Sequence, residues 1–138
     1  MTNQKIEIEA TISADPSKVW ECWTSPEHIT QWNFAIAEWC CPKVTNDLRP
    51  GGTYQARMEA RDGSFGFDFE AVYDEVLKGE KIVYTMTDGR KAITNFKKVG
   101  SNTKVNTVFD AEKTNPLEMQ KSGWQAILDN FKRYVESR

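Results

Sequence analysis

The chain has 138 residues, 39% hydrophobic and 28% charged, with a net charge of −2. That balance is ordinary for one globular domain of 1–138, and it supplies no basic face for neutralising phosphates, so nucleic acid is not an expected partner. No apolar run approaches the roughly 20 residues of a membrane helix, so no membrane insertion is expected. The opening MTNQKIEIEA has no apolar leader core, and a cytoplasmic chain beginning at Met1 is the expectation.

From Lys5 to Ser13 apolar Ile6, Ile8, Ala10 and Ile12 alternate with polar residues, which predicts a half-buried strand. Asp15-Pro16 then reads as a helix cap and first turn, followed by Val19, Trp20, Cys22 and Trp23 on an apolar face. Ser25-Pro26-Glu27 opens a second, short helix through about Trp32. QWNFAIAEWCCP follows with neither a helical nor a strand period and is expected to be irregular, with a strand only from Lys43 to Arg49.

The middle of the chain is β. Pro50-Gly51-Gly52 turns into a strand with Tyr54, Ala56, Met58 and Ala60 on one face. Asp62-Gly63 is a hairpin signal, after which Phe65, Phe67, Phe69, Ala71 and Tyr73 alternate. Three more strands carry Ile82, Tyr84 and Met86; then Ala92, Thr94 and Phe96; then Val105, Thr107 and Phe109. From Asn115-Pro116 the period changes. Leu117, Gln120, Trp124, Ile127, Leu128, Phe131 and Val135 form the stripe of a long amphipathic helix, with Asn115 as the expected cap and Glu118 completing a capping box. Strand, two short helices, about six antiparallel strands and one long helix make an α+β fold.

Residues able to carry chemistry are few. His28 is the only histidine and falls in a short surface helix, so a Ser-His-Asp or Cys-His arrangement would have to run through it. The three cysteines, Cys22, Cys40 and Cys41, do not form a disulfide framework, and the vicinal pair lacks metal-site spacing. Two thiols packed beside Trp39 are the expectation, with no metal and no cofactor. Asp68 and Glu70 interrupt the phenylalanine row; if the phenylalanines face inward, the acids face solvent, whereas a register flip would turn one carboxylate into the interior.

The words PSKVWECWTSPEHITQW, LRPGGTYQARM, DGSFGFDFEAVYDEV and MQKSGWQAILDNFKRYV, in that order, resemble the START-like (SRPBCC) superfamily. More narrowly, they are similar to the branch related to the C-terminal domain of the activator of the ninety-kilodalton heat-shock-protein ATPase. The resemblance spans nearly the whole chain. It implies a helix-grip fold, in which a seven-stranded antiparallel sheet wraps a long C-terminal helix around an apolar cavity. It also implies a small hydrophobic ligand, and family habit raises a homodimer. The chaperone-activating role belongs to a longer eukaryotic protein with an additional N-terminal domain, so a chaperone partner is not expected.

On that fold the inward strand positions Tyr54, Met58, Phe67, Phe69, Tyr84, Met86, Phe96 and Phe109 are candidate cavity residues. Met119, Gly123, Trp124 and Leu128 join them from the helix, and Trp32, Phe34 and Trp39 are assigned to the mouth. Tyr54, Tyr84, Thr94 and Thr107 are candidate polar groups. Gly123 has two readings, room for a ligand beside Trp124 or close backbone packing. Three functions remain open from the residues: a binding module for an apolar or aromatic molecule, a cyclase- or hydrolase-type enzyme using a cavity carboxylate or tyrosine, and a protein-interaction module.

Overall fold

The structure, a computed structural model, describes residues 4–138; the expectation about the start at Met1 lies outside them. In chain order the elements are β1 (Lys5–Ile12), α1 (Pro16–Thr24), α2 (Pro26–Ile29), β2 (Trp39–Asn46), β3 (Thr53–Ala60), β4 (Gly66–Leu77), β5 (Lys81–Met86), β6 (Lys91–Val99), β7 (Asn102–Asp110) and α3 (Leu117–Glu136). The strands form one curled antiparallel sheet in the order β1-β7-β6-β5-β4-β3-β2. Only β1 leaves its sequence neighbour, crossing by way of the helices to pair with β7, where Ile8 faces Thr107.

The local chemistry explains the connections. Asp15 caps α1 by accepting from the Lys18 N–H at 2.9 Å, with Pro16 at the first helical position. Gly63 and Gly89 take φ of 79° and 91° in the hairpin turns after Asp62 and Asp88, a region in which a Cβ is strained.

The concave face carries the apolar half of every strand. Ala56, Ala71 and Ala92 are buried there beside larger Met58, Tyr73 and Phe96. Helix α3 packs against β1 and α1. It buries Leu128, Phe131 and Val135, while Trp124 lies flat on Phe109 with ring centroids 3.8 Å apart.

Four local expectations are corrected. The strand expected from Lys43 begins at Trp39, because a bulge between Cys40 and Lys43 absorbs Pro42 on an edge strand. Asn115 does not cap α3; Pro116 holds that place without a side-chain bond, and Glu118 closes no box. Gln120 instead staples the approach to the helix, accepting from the Glu112 N–H at 2.8 Å and donating to the Asn115 carbonyl at 2.8 Å. His28 is no free surface side chain, since Tyr134 of α3 closes over it with its hydroxyl 2.6 Å from Nδ1. Phe65 precedes β4 and is 61% exposed.

Gly123 sits within α3, and a Cβ built there meets nothing within 4 Å, which excludes close backbone packing. Glycine costs a helix interior about 1 kcal/mol relative to alanine. Gly123→Ala is therefore expected to stabilise the protein by about 0.5–1 kcal/mol, read as a higher urea midpoint at unchanged slope.

Candidate ligand cavity

Between the sheet and α3 the core is not filled. A partly open cavity of about 250 Å³ lies there. Trp124, Ile127 and Leu128 of α3 form one wall, and Trp23 and Trp32 from the α1–α2 region close one side. The opposite wall is Tyr54 and Met58 of β3, Phe67, Phe69 and Tyr73 of β4, and Ile82 and Tyr84 of β5. Ile8, Thr94 and Thr107 complete the lining with Asn33.

Strand alternation puts these residues on one surface. Tyr54 opposes Ala71, Met58 opposes Phe67, and Tyr73 opposes Tyr84, so every partner shares the concave face. The rings hold one another in place. Tyr54 and Tyr84 lie nearly parallel, 8° apart with centroids at 6.5 Å, and Phe69 meets Tyr84 edge-on at 6.0 Å. Behind the cavity Phe131 packs edge-on against both Trp23 and Trp32 at centroid distances of 4.9 and 4.8 Å.

The polar groups are sparse and almost all are engaged. Thr94 and Thr107 share a hydrogen bond of 2.8 Å across β6 and β7. The Tyr73 hydroxyl donates to Asn46 Oδ1 at 2.6 Å. Asn33 Nδ2 donates to the Tyr54 hydroxyl at 3.3 Å and lies 3.7 Å from both Cys41 Sγ and Met58 Sδ. Burial pushes the hydroxyls of Tyr54, Tyr73 and Tyr84 above the usual phenol range, so all three stay protonated at neutral pH. Among the described residues no carboxylate and no histidine lines the cavity. Asp68 is exposed on the convex side, 3.6 Å from Arg57, and Glu70 accepts from Gln55 at 2.8 Å.

The QWNFAIAEWCC segment divides its residues between two environments. Trp32 turns inward, its Nε1–H donating to the Cys22 carbonyl at 2.9 Å. Asn130 of α3 pins the same stretch by donating to the Trp32 carbonyl at 2.9 Å. Phe34 goes the other way, under the Arg61 guanidinium at 5.5 Å, in a shallow depression with Cys40 and Pro42. The placement of Phe34 at the mouth is thereby corrected; the Arg61 stack holds it outside. Trp39 belongs to the concave face because it opposes Ala60, and it packs on Phe65 and Phe67 at 5.9 and 6.1 Å beyond the cavity wall. Cys41 is buried and Cys40 half-buried; burial raises the Cys41 thiol's pKa.

Among the other candidates, Trp32, Tyr54, Met58, Phe67, Phe69, Tyr84, Trp124 and Leu128 lie together on the lining. Met86, Phe96 and Phe109 are inward but buried a layer away, Phe96 under Trp20 and Trp23 and Phe109 behind Trp124. Met119 is corrected outright. It is 61% exposed, one residue out of phase with the stripe through Gln120 and Trp124. Gly123 is half-buried and is not among the lining residues. Sequence reasoning missed Ile8, Trp23, Asn33, Tyr73, Ile82 and Ile127 as lining residues. Ile8, Tyr73 and Ile82 sit on recognised inward faces, whereas nothing local to Asn33 signals that it turns inside between Trp32 and Phe34.

Comparison with known proteins agrees with this architecture. The model of the family described as activator of Hsp90 ATPase homolog 1-like protein matches residues 13–136. The solution structure of an AHSA1-like protein from Aeromonas hydrophila is 40% identical, with a TM-score of 0.92 over 97% of this chain and 93% of that one. A protein from Cytophaga hutchinsonii is 48% identical, with a TM-score of 0.84 over 96% of this chain and 92% of its own. A protein from Chromobacterium violaceum, 24% identical, shares the fold with a TM-score of 0.86 over 96% of this chain and 98% of its own. No curated protein matches the sequence. The chain belongs to the family of activator of Hsp90 ATPase homolog 1-like proteins, within the START-like superfamily.

Proposed function

We propose that this protein binds a small apolar or aromatic molecule in the cavity between the sheet and α3. The observation that carries the reading is the unfilled space itself. Protein interiors are close-packed, and an apolar void costs stability in proportion to its volume. A cavity of about 250 Å³ walled by aromatic rings is therefore a feature that a purely structural core would have closed. It exceeds the ~150 Å³ engineered cavity that admits benzene, which leaves room for a second fused ring or a short substituent.

The lining supports a binding module over an enzyme. It offers aromatic walls and a few hydroxyls, the usual make-up of a small-molecule site, without a carboxylate or imidazole to move protons. From Phe67 in the wall, Trp39 and Phe65 extend the apolar surface toward solvent, a path along which an apolar molecule can enter.

The test is native against denaturing mass spectrometry of protein purified without detergent. The reading expects a small molecule that is released on denaturation and is lost from Trp124→Ala. A bare protein mass, together with no binding of added aromatic compounds, would overturn it.

A further inference from the structure

The cavity's polar inventory restricts what it can hold, and the restriction rests on the binding reading proposed above. Among the described residues no charged side chain lines the cavity. The cation near Tyr84 is Arg90, whose Nε is tied to Asp88 at 2.7 Å and whose Nη1 reaches the Asp110 carbonyl at 3.5 Å. Arg90 does not line the wall. A carboxylate or ammonium carried inside would lose its hydration and gain no counter-charge from the lining.

The hydroxyls then separate by what they already bond. Thr94 and Thr107 share one hydrogen bond, and Tyr73 donates to Asn46. Tyr54 is engaged as an acceptor, from Asn33, and keeps its own O–H. The Tyr84 hydroxyl has no hydrogen-bond partner among the described residues, although its ring is enclosed by Tyr54, Phe69 and Tyr73. Tyr84 lines the cavity and its hydroxyl is not sealed off from it, so the O–H is free to meet an acceptor that comes with the ligand. Burial keeps this phenol protonated, which makes it a donor at neutral pH.

We infer that the cavity selects an uncharged aromatic molecule bearing one hydrogen-bond acceptor, such as an aryl ketone or ester, and that the acceptor sits on the Tyr84 hydroxyl. Fatty and aromatic carboxylates are the class it refuses.

Three probes of one shape separate the terms: 2-acetylnaphthalene, 2-ethylnaphthalene and 2-naphthoate, titrated calorimetrically at neutral pH. The ketone is expected to bind about tenfold more tightly than the hydrocarbon, the gain of one hydrogen bond to an otherwise unpaired donor. The carboxylate is expected to bind on the order of a hundredfold more weakly than the ketone. Tyr84→Phe keeps the ring and should bring the ketone down to the hydrocarbon's affinity while leaving the hydrocarbon's unchanged, which also shows that the variant is folded. Naphthoate binding as tightly as the ketone would overturn the charge selection. A ketone-to-hydrocarbon ratio that survives Tyr84→Phe would overturn the anchor. Binding of the hydrocarbon alone would leave the cavity reading standing and remove this inference, whereas binding of none of the three removes both.

Discussion

Phe131→Ala is expected to lower stability by about 3–5 kcal/mol, against the 5–15 kcal/mol typical of a whole domain. Phe131 is fully buried, and its ring contacts Trp23 and Trp32 edge-on. Its removal forfeits the transfer energy of a phenyl group and opens a void behind the cavity wall. It also takes away the surface that the stacked Trp23–Trp32 pair, 5.2 Å apart, leans on. In urea the midpoint should fall by roughly 2 M at an unchanged slope, given slopes of about 1–3 kcal/mol per M for small proteins. Phe65→Ala is the matched control. That ring is 61% exposed, and the change should stay within about 0.5 kcal/mol. Equal losses for the two variants would contradict the described packing.

Ile127→Trp separates folding from binding. Ile127 lines the cavity from α3 and is only half-buried, because part of its surface faces the open space. A larger ring placed there grows into the void rather than into packed atoms. Filling a cavity commonly adds about 0.5–2 kcal/mol of stability, so the variant should be as stable as the parent or more so. Binding of 2-acetylnaphthalene should weaken by tenfold or more, since the ligand and the indole compete for one volume. A variant that loses stability and keeps its affinity would show that the cavity is not where the ligand sits.

Much of the fold is legible because alternation is a local signal. The inward sets Tyr54-Ala56-Met58 and Phe67-Phe69-Ala71-Tyr73 are plain from a period of two, and the register confirms that they face each other. Alternation gives the face of a strand but not the depth along it. Phe69 and Phe96 read alike in sequence, yet one ends at the cavity and the other under Trp20 and Trp23, because α1 covers only part of the sheet. The helix poses the related problem of phase. Met119 and Gln120 both fall within reach of the apolar stripe, and only the hydrogen bonds at the β7–α3 connection decide that Gln120 turns inward. The bulge at Cys41-Pro42 hides β2 for a third reason, since an extra residue breaks the very period by which a strand is recognised.

The proposed small molecule occupies the space between the sheet and α3. Isotope-filtered NOE spectroscopy tests it directly, with 13C-labelled protein and unlabelled 2-acetylnaphthalene. Contacts are expected from the naphthyl protons to the methyls of Ile8, Ile82, Ile127 and Leu128, which line the cavity from three sides. Contacts confined to Ile36, Leu117 and Val99, apolar residues exposed on the outside, would contradict it.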